Sequence, residues 1–552
     1  MVCANCKTNT METKQNLLSW PGIKAFIHNV ISRVCRPVVV APVFFLLLLL
    51  LFCGLDVFSL SREGYYPFLV IISGVLFCYL LVLPCLYLPF FIRKIYKVLI
   101  LLIGVVYFAI NFGLLYLYRI TFNYLDEEIL ATILATNLDE AQEYLSTYVS
   151  VELITLVLFA IAVILLAFYA LNRISLKMRF VPRFLLFVFL LFSCVISISK
   201  YNQIKEFKIF WLLNSERVPD LRDYMQYPAV VVSEECPENI VIILGESFSK
   251  SHSSLYGYER PTNPKLGTMF ADGLLKIFPN VSSYATRTIP CVKSILAGYT
   301  NECADSINWY ECLTLIEVVK QAGYKTYWIS NLPKRGLYDN EIGRYAELCD
   351  AECFLGGYIP GLAKTRLDEE LLPFVDAAIN NSTERNLYII QMQGSHHSFK
   401  ERFPAAFSKF TADDYIVTHA RLSKDKRQLL AEYDNSVLYN DSVVYEMMKR
   451  FSDKEAVVFY FSDHANDVFE SSNDHIGHSI LNDELSNFYG KQIPFMLYTT
   501  EKFKDKYPQI EEKIKSAVDV PLRTDSVMYT IMDIAGIETI NGVSYEEKSI
   551  FK

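Results

Sequence analysis

Five apolar runs without a single charged residue lie within the first 200 residues, and they constrain what this chain can fold into more than any other feature. A transmembrane helix needs about 20 apolar residues to cross the hydrocarbon core. The first four runs reach this length, and the fifth does so if residues 180–182 join it and Arg183 extends its charged end to the interface. Buried core helices of soluble proteins are the alternative, but four long uncharged runs within one third of a chain are very rare in soluble proteins. The sequence therefore predicts five transmembrane helices, over residues 37–55, 67–92, 98–118, 153–172 and 184–199.

Basic residues are distributed unequally around these runs. Twelve Lys and Arg residues lie in the N-terminal segment, the second loop and the fourth loop, which are all on one side of the membrane. The first and third loops, on the other side, carry only Arg62 and Arg119. Because cytoplasmic segments carry the excess of Lys and Arg, we expect the N-terminus in the cytoplasm and everything after residue 200 outside. The first run begins late and lacks a small-residue cleavage site, so no cleavable signal peptide is expected. We predict a transmembrane domain over 1–200, a bridging interfacial segment over 201–236 and an exported domain over 237–552.

Charge and cysteine content add two further expectations. The chain carries 52 Lys and Arg against 60 Asp and Glu, so it has no basic excess that would favour nucleic-acid binding. An even number of cysteines in an oxidising compartment predicts up to three disulfides, with the pairing left open. The six exported cysteines are Cys236, Cys291, Cys303, Cys312, Cys349 and Cys353.

The exported part alternates short apolar segments with helical stretches. Four segments rich in Ile, Val, Tyr and Phe, at residues 239–244, 325–330, 386–391 and 456–461, are typical of buried strands. This alternation predicts an α/β domain with a mainly parallel sheet. In such sheets the functional residues lie beyond the carboxyl ends of the strands, so the residues that follow each strand are the candidates for chemistry.

Carboxylate and imidazole groups follow three of these predicted strands. Glu246 follows the first strand, His396 and a neighbouring histidine follow the third, and Asp463 and His464 follow the fourth, with His478 further along. A single Asp-His pair after a strand commonly does no more than cap the loop that follows. Strand ends converge in space, however, so three strand ends with such residues can share an ion. Carboxylate with imidazole is a ligand set for zinc, or for manganese if oxygen ligands dominate. The sequence therefore predicts a metal site at this edge of the sheet.

A hydroxyl nucleophile is available in the segment at residues 282–298. Pro290 suits the first turn of a helix, which places Thr288 at or near the N-cap. The positive end of the helix dipole favours an alkoxide and binds phosphate, and coordination to a metal would lower the hydroxyl pKa further. An ordinary capping threonine is the alternative reading, and Thr286 is a competing candidate for the nucleophile.

Together these motifs resemble the phosphoethanolamine transferases, inner-membrane enzymes of the alkaline phosphatase/sulfatase superfamily that modify lipid A and lipopolysaccharide core. The likeness rests on the run at residues 239–264, on Gly394-Ser395-His396 and on Ser462-Asp463-His464, which match in order and approximate spacing. Five predicted spans before an exported α/β domain match as well. The resemblance implies that the domain at 237–552 is a periplasmic, sulfatase-like catalytic domain.

The resemblance also implies roles for single residues. Glu246, Asp463 and His464 would hold a catalytic Zn²⁺, and Thr288 would complete that shell and carry the covalent phosphoethanolamine. Thr288 is preferred over Thr286 because it heads a Thr-Ile-Pro run like the nucleophile segment of the core-modifying branch. Further histidines would bind substrate phosphate or a second zinc. These are His396 and His478, with His475 as an alternative to His478.

The loop between the third and fourth predicted spans carries the family's head-group pattern. Thr132, Thr136 and Glu140 are spaced so that a helix would place all three on one face. The resemblance implies that they contact a lipid head group, and the alternative is the solvated face of an interfacial helix. It implies phosphatidylethanolamine as donor and lipopolysaccharide, through lipid A or core, or another glycan as acceptor. It also implies a monomer in the bacterial inner membrane.

Departures from the family and competing functions narrow these expectations. Ala465 and Asn466 follow Asp-His where the family commonly has Gly-Glu, which favours a more distant branch. A phosphoglycerol transferase of the lipoteichoic acid synthase or periplasmic-glucan type is the alternative enzyme. A membrane-anchored binding protein with an inactive domain would show neither bound zinc nor a covalent adduct. Sulfatase activity is not expected, because formylglycine needs Cys or Ser where Thr288 stands and Arg where Val292 stands.

Overall fold

The computed structural model describes residues 220–233, 235–304, 306–334, 341–356, 366–479 and 483–551, together with isolated positions between 89 and 158. Within these described residues, no helix has the length and apolar character needed to cross a bilayer. Apart from the isolated positions, the five predicted spans lie outside the described residues, as do Thr132, Thr136 and Glu140. The transmembrane helices and the domain boundaries at 200 and 236 therefore stay predictions.

Residues 220–551 belong to the second of two compact units into which the chain divides, and short strands occur throughout them. The strands are β1 (Val230–Val232), β2 (Asn239–Gly245), β3 (Leu275–Ile277), β4 (Val281–Ser282), β5 (Lys325–Pro333), β6 (Ala351–Gly356), β7 (Asn386–Gln391), β8 (Ala456–Ser462), β9 (Asp467–Val468), β10 (Ile476–Gly477), β11 (Phe495–Thr499), β12 (Leu522–Arg523) and β13 (Ile537–Ile540).

A seven-stranded mixed sheet forms the centre of this unit, in the spatial order β3-β11-β8-β2-β7-β5-β6. Strands β8, β2, β7, β5 and β6 run parallel to one another, while β11 is antiparallel to both β8 and β3. All four predicted strands are confirmed as β2, β5, β7 and β8, and the mainly parallel character is confirmed with one antiparallel strand inside the sheet. The three strands that carry the predicted site residues, β2, β7 and β8, are neighbours at its centre.

Helices cover both faces of the sheet. In the described residues they are α1 (Pro264–Ala271), α2 (Thr288–Ala297), α3 (Asn301–Ala304), α4 (Leu315–Gln321), α5 (Glu341–Ala346), α6 (Leu372–Asn380), α7 (Lys424–Lys449), α8 (Glu484–Gly490), α9 (Glu501–Lys506), α10 (Pro508–Ser516) and α11 (Val527–Ile534).

The alternation of side chains along β2 explains the two-sided core. Ile240, Ile242 and Leu244 point into the cluster that includes residues of α2, α4 and α11, whereas Val241 and Ile243 point into the cluster that includes residues of α7 and α6. All five side chains are almost completely buried. A strand that is covered on both faces consists almost entirely of apolar residues, and for this reason β2 could be predicted from its sequence.

The disulfide prediction is corrected by the structure. A disulfide needs two cysteines whose Cα atoms lie within about 7 Å, and a count of cysteines carries no information about their placement. Two of the thiols bond within their own segments instead, since Cys236 Sγ donates to the Ser233 carbonyl at 2.8 Å and Cys291 Sγ donates to the Ala285 carbonyl at 3.2 Å. Free thiols are found at all six of the positions considered, namely Cys236, Cys291, Cys303, Cys312, Cys349 and Cys353.

Candidate active site

The carboxyl ends of β2 and β8 bring three predicted ligands together. Glu246 follows β2 directly, and Asp463 and His464 follow β8, whose Ser462 pairs with Gly245 in the parallel ladder. One ligand atom from each of the three side chains lies within 4.8 Å of the others, and all three side chains are buried. His464 Nε2 is 3.1 Å from Glu246 Oε1 and 3.7 Å from Asp463 Oδ2. We call these three residues the ligand triad.

The hydroxyl of Thr288 lies against this triad. Its Oγ1 donates to Glu246 Oε2 at 3.2 Å and lies 3.4 Å from His464 Nε2. Thr288 is the first residue of α2, and Arg287 occupies the N-cap position. The hydroxyl therefore belongs to the first turn of the helix, where the helix dipole gives a positive potential. The first turn also contains Pro290, as the sequence predicted.

The structure distinguishes the two candidate threonines by exposure and direction. Thr288 is partly exposed, and its hydroxyl lies against the ligand triad. Thr286 is only 4% exposed. Its methyl group lies over Gly490, where a built Cβ would be 3.1 Å away. These contacts favour Thr288 as the nucleophile.

The donor set fits a zinc ion. Asp463 Oδ1 accepts from the backbone N–H of His464 at 2.7 Å and from that of Ser247 at 3.3 Å. Asp463 Oδ2 is buried and has no hydrogen-bond partner among the described residues, which is costly for a carboxylate oxygen unless a further group binds there. Two carboxylates, one imidazole nitrogen and one hydroxyl within a few ångströms are chemically suited to Zn²⁺. Glu246, Asp463, His464 and Thr288 could therefore hold it.

In the metal-free ligand triad, the pKa of each side chain is shifted by the charge of at least one of the other two. Burial raises the pKa of Asp463, and the nearby Glu246 carboxylate raises it further. Burial alone would also raise the pKa of Glu246, but the attraction of His464 outweighs this and the net shift is downward. Burial lowers the pKa of His464, but the charges of Asp463 and Glu246 outweigh it and raise the pKa to about 9. The metal-free triad therefore retains protons that a cation would have to displace.

Two further predicted histidines lie beside the triad. The His478 ring is 4.9 Å from the His464 ring, and the His396 ring is 6.5 Å from that of His478, measured between centroids. Desolvation lowers the pKa of His396 to about 4, and desolvation together with the charge of His464 lowers the pKa of His478 well below its usual range. Both rings are therefore neutral at pH 7 and can each donate one N–H hydrogen bond.

His475, the alternative to His478, has a different position. Its Nε2 lies 2.8 Å from the backbone oxygen of His478, so its ring contacts the main chain of that residue. The antiparallel pairing of β9 and β10 holds the same hairpin. This arrangement favours His478 as the histidine that faces a substrate and His475 as its support.

Tight backbone contacts position Glu246 from both sides. Ser247 adopts a left-handed conformation, with φ of 60°, and its hydroxyl donates to Glu246 Oε1 at 2.7 Å. Gly394, in the turn after β7, has φ of 54°. A Cβ built on it would lie 2.6 Å from the backbone oxygen of Glu246 and 2.8 Å from its backbone nitrogen. Only glycine allows this close approach.

Gly394→Ala is expected to destabilise the protein by at least about 2 kcal/mol, because the new methyl group meets the Glu246 backbone at a φ that L-residues rarely adopt. Gly267→Ala is the matched control. Gly267 lies inside α1 with open space around a built Cβ, so alanine should stabilise the protein by about 0.5–1 kcal/mol. Chemical denaturation of both variants gives the two free energies of unfolding. Equal effects would contradict the role assigned to Gly394.

Sequence reasoning missed two residues that organise this site. Ser247 was visible only as part of Gly-Glu-Ser, and nothing in that triplet indicates a left-handed backbone. Asp368 accepts hydrogen bonds from the backbone N–H groups of Gln393 and Gly394, although it lies in a separate segment, as the first residue of a short helical turn. Asp368 stands in an acidic run with Glu369 and Glu370, which is typical of the first turn of a helix, so no sequence signal distinguishes it as a residue of the site.

Comparison with known families identifies the fold that this site belongs to. The sulfatase family profile matches residues 238–537, which are more than half of the chain and include the ligand triad, Thr288, His396 and His478. The protein belongs to the sulfatase family. Curated relatives of this sulfatase-family chain are named phosphoethanolamine transferases. EptC of Escherichia coli (strain K12) is 27% identical over 480 residues, which cover 81% of this chain and 82% of the relative. CptA of Salmonella typhimurium is 26% identical over 486 residues, which cover 80% of each.

Solved structures agree with this sulfatase-family fold. The crystal structure of the C-terminal periplasmic domain of Escherichia coli EptC, in complex with Zn, matches with a TM-score of 0.53 and 26% identity over 59% of this chain and 90% of that chain. The integral membrane protein lipooligosaccharide phosphoethanolamine transferase A of Neisseria meningitidis matches with a TM-score of 0.63 and 20% identity, over 92% of this chain and 98% of that chain. The second match shows a shared fold.

Proposed function

We propose that this protein is a zinc-dependent phosphoethanolamine transferase that works through a phospho-threonine intermediate. The observation that carries the proposal is the position of the Thr288 hydroxyl, 3.2 Å from Glu246 Oε2 and 3.4 Å from His464 Nε2, within one metal-suited cluster. The names of the curated relatives, which cover about four fifths of the chain, support the same reaction. So does the Zn named with the similar periplasmic domain of Escherichia coli EptC.

The ligand triad and Thr288 would hold one zinc ion. When bound, Zn²⁺ would supply the positive charge that lowers the pKa of a hydroxyl and offsets the negative charge that develops on phosphoryl oxygens. Glu246 also accepts the Thr288 hydrogen bond, so it fixes the direction of the hydroxyl before reaction. A second zinc near His396 and His478 is part of the proposal only as an alternative to direct phosphate binding by those rings.

In the first half-reaction, the oxygen of Thr288 attacks the phosphorus of phosphatidylethanolamine. The new bond joins Thr288 Oγ1 to phosphorus, and the bond between phosphorus and the glycerol oxygen breaks. The hydroxyl proton ends on the departing diacylglycerol. Thr288 begins α2, so the positive potential of the helix N-terminus would help to stabilise the phosphoryl charge.

In the second half-reaction, an oxygen of an acceptor hydroxyl or phosphate attacks the phosphorus of the phospho-threonine. The new bond joins that oxygen to phosphorus, the bond between phosphorus and Thr288 Oγ1 breaks, and the proton of the attacking group returns to the Thr288 oxygen. His396 and His478 are neutral because desolvation lowers the pKa of each, so each offers one N–H to the phosphoryl oxygens without adding a full charge. We propose lipopolysaccharide, through lipid A or core, or another glycan as the acceptor.

The membrane part of the proposal follows from the sequence and the relatives. We propose a monomer in the bacterial inner membrane, with five transmembrane helices over residues 1–200 and a periplasmic catalytic domain over 237–552. Thr132, Thr136 and Glu140 would contact the lipid head group. A donor that is itself a lipid is consistent with a catalytic domain tethered to the bilayer.

Mass spectrometry of the covalent adduct tests this function. The zinc-loaded full-length protein is incubated with phosphatidylethanolamine in detergent, and the tryptic peptide that contains Thr288 is analysed. We expect phosphoethanolamine on this peptide and release of diacylglycerol. An adduct formed from phosphatidylglycerol instead would favour the phosphoglycerol transferase of the lipoteichoic acid synthase or periplasmic-glucan type. A protein that binds no zinc and forms no adduct with either lipid would be a binding protein.

A further inference from the structure

Asp368 is a buried carboxyl group outside the strand-end motifs. It begins the short helical turn Asp368–Leu371, and its side chain is 5% exposed. Its Oδ1 accepts from the backbone N–H of Gln393 and from the side-chain amide of Asn331, each at 2.8 Å. Its Oδ2 accepts from the backbone N–H of Gly394 at 2.9 Å. Three donors from two strand ends therefore converge on one carboxylate.

The two backbone donors belong to the turn that carries His396. The His396 N–H donates back to the Gln393 carbonyl at 3.2 Å, which closes the turn. On its other side the turn contacts the ligand triad, because the Ser395 N–H donates to the Glu246 carbonyl at 3.0 Å. The turn is thus held between Asp368 and the backbone of Glu246.

The His396 ring depends on this turn for its placement. Its Nδ1 is buried without a hydrogen-bond partner among the described residues, so that nitrogen gives the ring no anchor of its own. The hydrogen-bonded turn is therefore the polar anchor that places the ring 6.5 Å from that of His478, measured between centroids.

We propose that Asp368 is a positioning residue, which fixes His396 against substrate phosphate by holding the N–H groups of Gln393 and Gly394. The inference rests on the proposed function, in which His396 binds phosphate. The inference goes beyond that function because it assigns a role to Asp368, which contacts neither the metal-suited cluster nor the substrate.

A double-mutant cycle tests this proposal with inorganic phosphate as the probe. Asp368→Asn and His396→Ala are made singly and together in the full-length zinc-loaded protein, and the Kd for phosphate is measured by calorimetry. Asparagine keeps the shape of the side chain but turns one acceptor into an N–H₂ group that faces a backbone donor. We expect each single variant to weaken phosphate binding about 10-fold. In the His396→Ala background, Asp368→Asn should add less than about twofold.

Asp441→Asn is the matched control. Asp441 is 1% exposed, and its two oxygens accept from the backbone N–H groups of Lys265 at 2.9 Å and Leu266 at 3.0 Å. It therefore makes the same kind of contact at the start of α1. We expect Asp441→Asn to lower the unfolding temperature about as much as Asp368→Asn while phosphate affinity stays unchanged. If Asp368→Asn does not fold, Asn331→Ala removes one donor to Asp368 and should show a smaller loss with the same dependence on His396.

Several outcomes would overturn the proposal. These are wild-type phosphate affinity in Asp368→Asn, an equal loss of affinity with and without His396, or a similar loss in Asp441→Asn. Absence of phosphate binding by the zinc-loaded wild type would overturn it as well. If the wild type binds phosphate but does not cleave phosphatidylethanolamine, the proposed function fails while the cycle still decides the role of Asp368.

Discussion

Thr288→Ala is expected to lower the rate of phosphoethanolamine transfer by at least about 10³-fold, because it removes the oxygen that forms the bond to phosphorus. Water in its place would lack the fixed hydrogen bond to Glu246 and the position at the start of α2. The fold should persist, since Thr288 is partly exposed and does not occupy the N-cap position of α2, which is taken by Arg287. Diacylglycerol release measures the rate, and circular dichroism measures the fold.

Two matched variants isolate the hydroxyl of Thr288. Thr288→Ser keeps the oxygen and should retain measurable transfer with an adduct on residue 288. Thr286→Ala removes the competing hydroxyl and should leave the adduct on Thr288, since the Thr286 methyl group packs over Gly490 and its side chain is almost wholly buried. Full activity of Thr288→Ala, or an adduct that moves to Thr286, would reject the assignment.

Removal of the metal is expected to lower transfer by at least about 10²-fold, with recovery when Zn²⁺ is added back. Asp463→Asn should reproduce this loss permanently, because it neutralises the carboxylate whose Oδ2 is buried without a hydrogen-bond partner among the described residues. Atomic absorption gives the zinc content of each protein. Asp474→Asn is the control, since the Asp474 side chain is 73% exposed and pairs with Lys426. Equal zinc content in Asp463→Asn and the control would contradict the ligand role.

Zinc affinity should also depend on pH in a defined direction. The pKa of His464 in the metal-free protein is raised to about 9, so below that pH the ring carries a proton that zinc must displace. Affinity is therefore expected to rise as the pH increases toward 9 and to fall on acidification. Calorimetry in buffers with different ionisation enthalpies measures the released proton. Binding without proton release at pH 7 would show that the triad is already deprotonated.

The sequence was sufficient to predict the site residues that directly follow strands. Strand β7 begins and ends where the apolar pattern predicts, and β2 and β8 extend one residue further. Once these strands are neighbours in a parallel sheet, their carboxyl ends meet at one edge, so Glu246, Asp463 and His464 could be grouped without coordinates. The predicted turn of helix around Pro290 likewise placed Thr288 correctly at the start of α2.

Contacts between residues of different segments could not be predicted in this way. The hydrogen bonds of Asp368 to the turn after β7 arise from tertiary packing, which leaves no periodic pattern. The left-handed backbone of Ser247 is a local exception that most serines do not adopt. The cysteine count failed for a related reason, because it ignores where the fold places each thiol.

The register between β2 and β8 has a consequence for the order of events during biogenesis. Gly245 pairs with Ser462, so the halves of the ligand triad are joined only when strands far apart in the chain associate. A nascent polypeptide that has emerged only as far as residue 450 possesses Glu246 but neither Asp463 nor His464. A metal ion can therefore bind the complete ligand triad only after the polypeptide has been synthesised through at least residue 464 and β8 has joined β2.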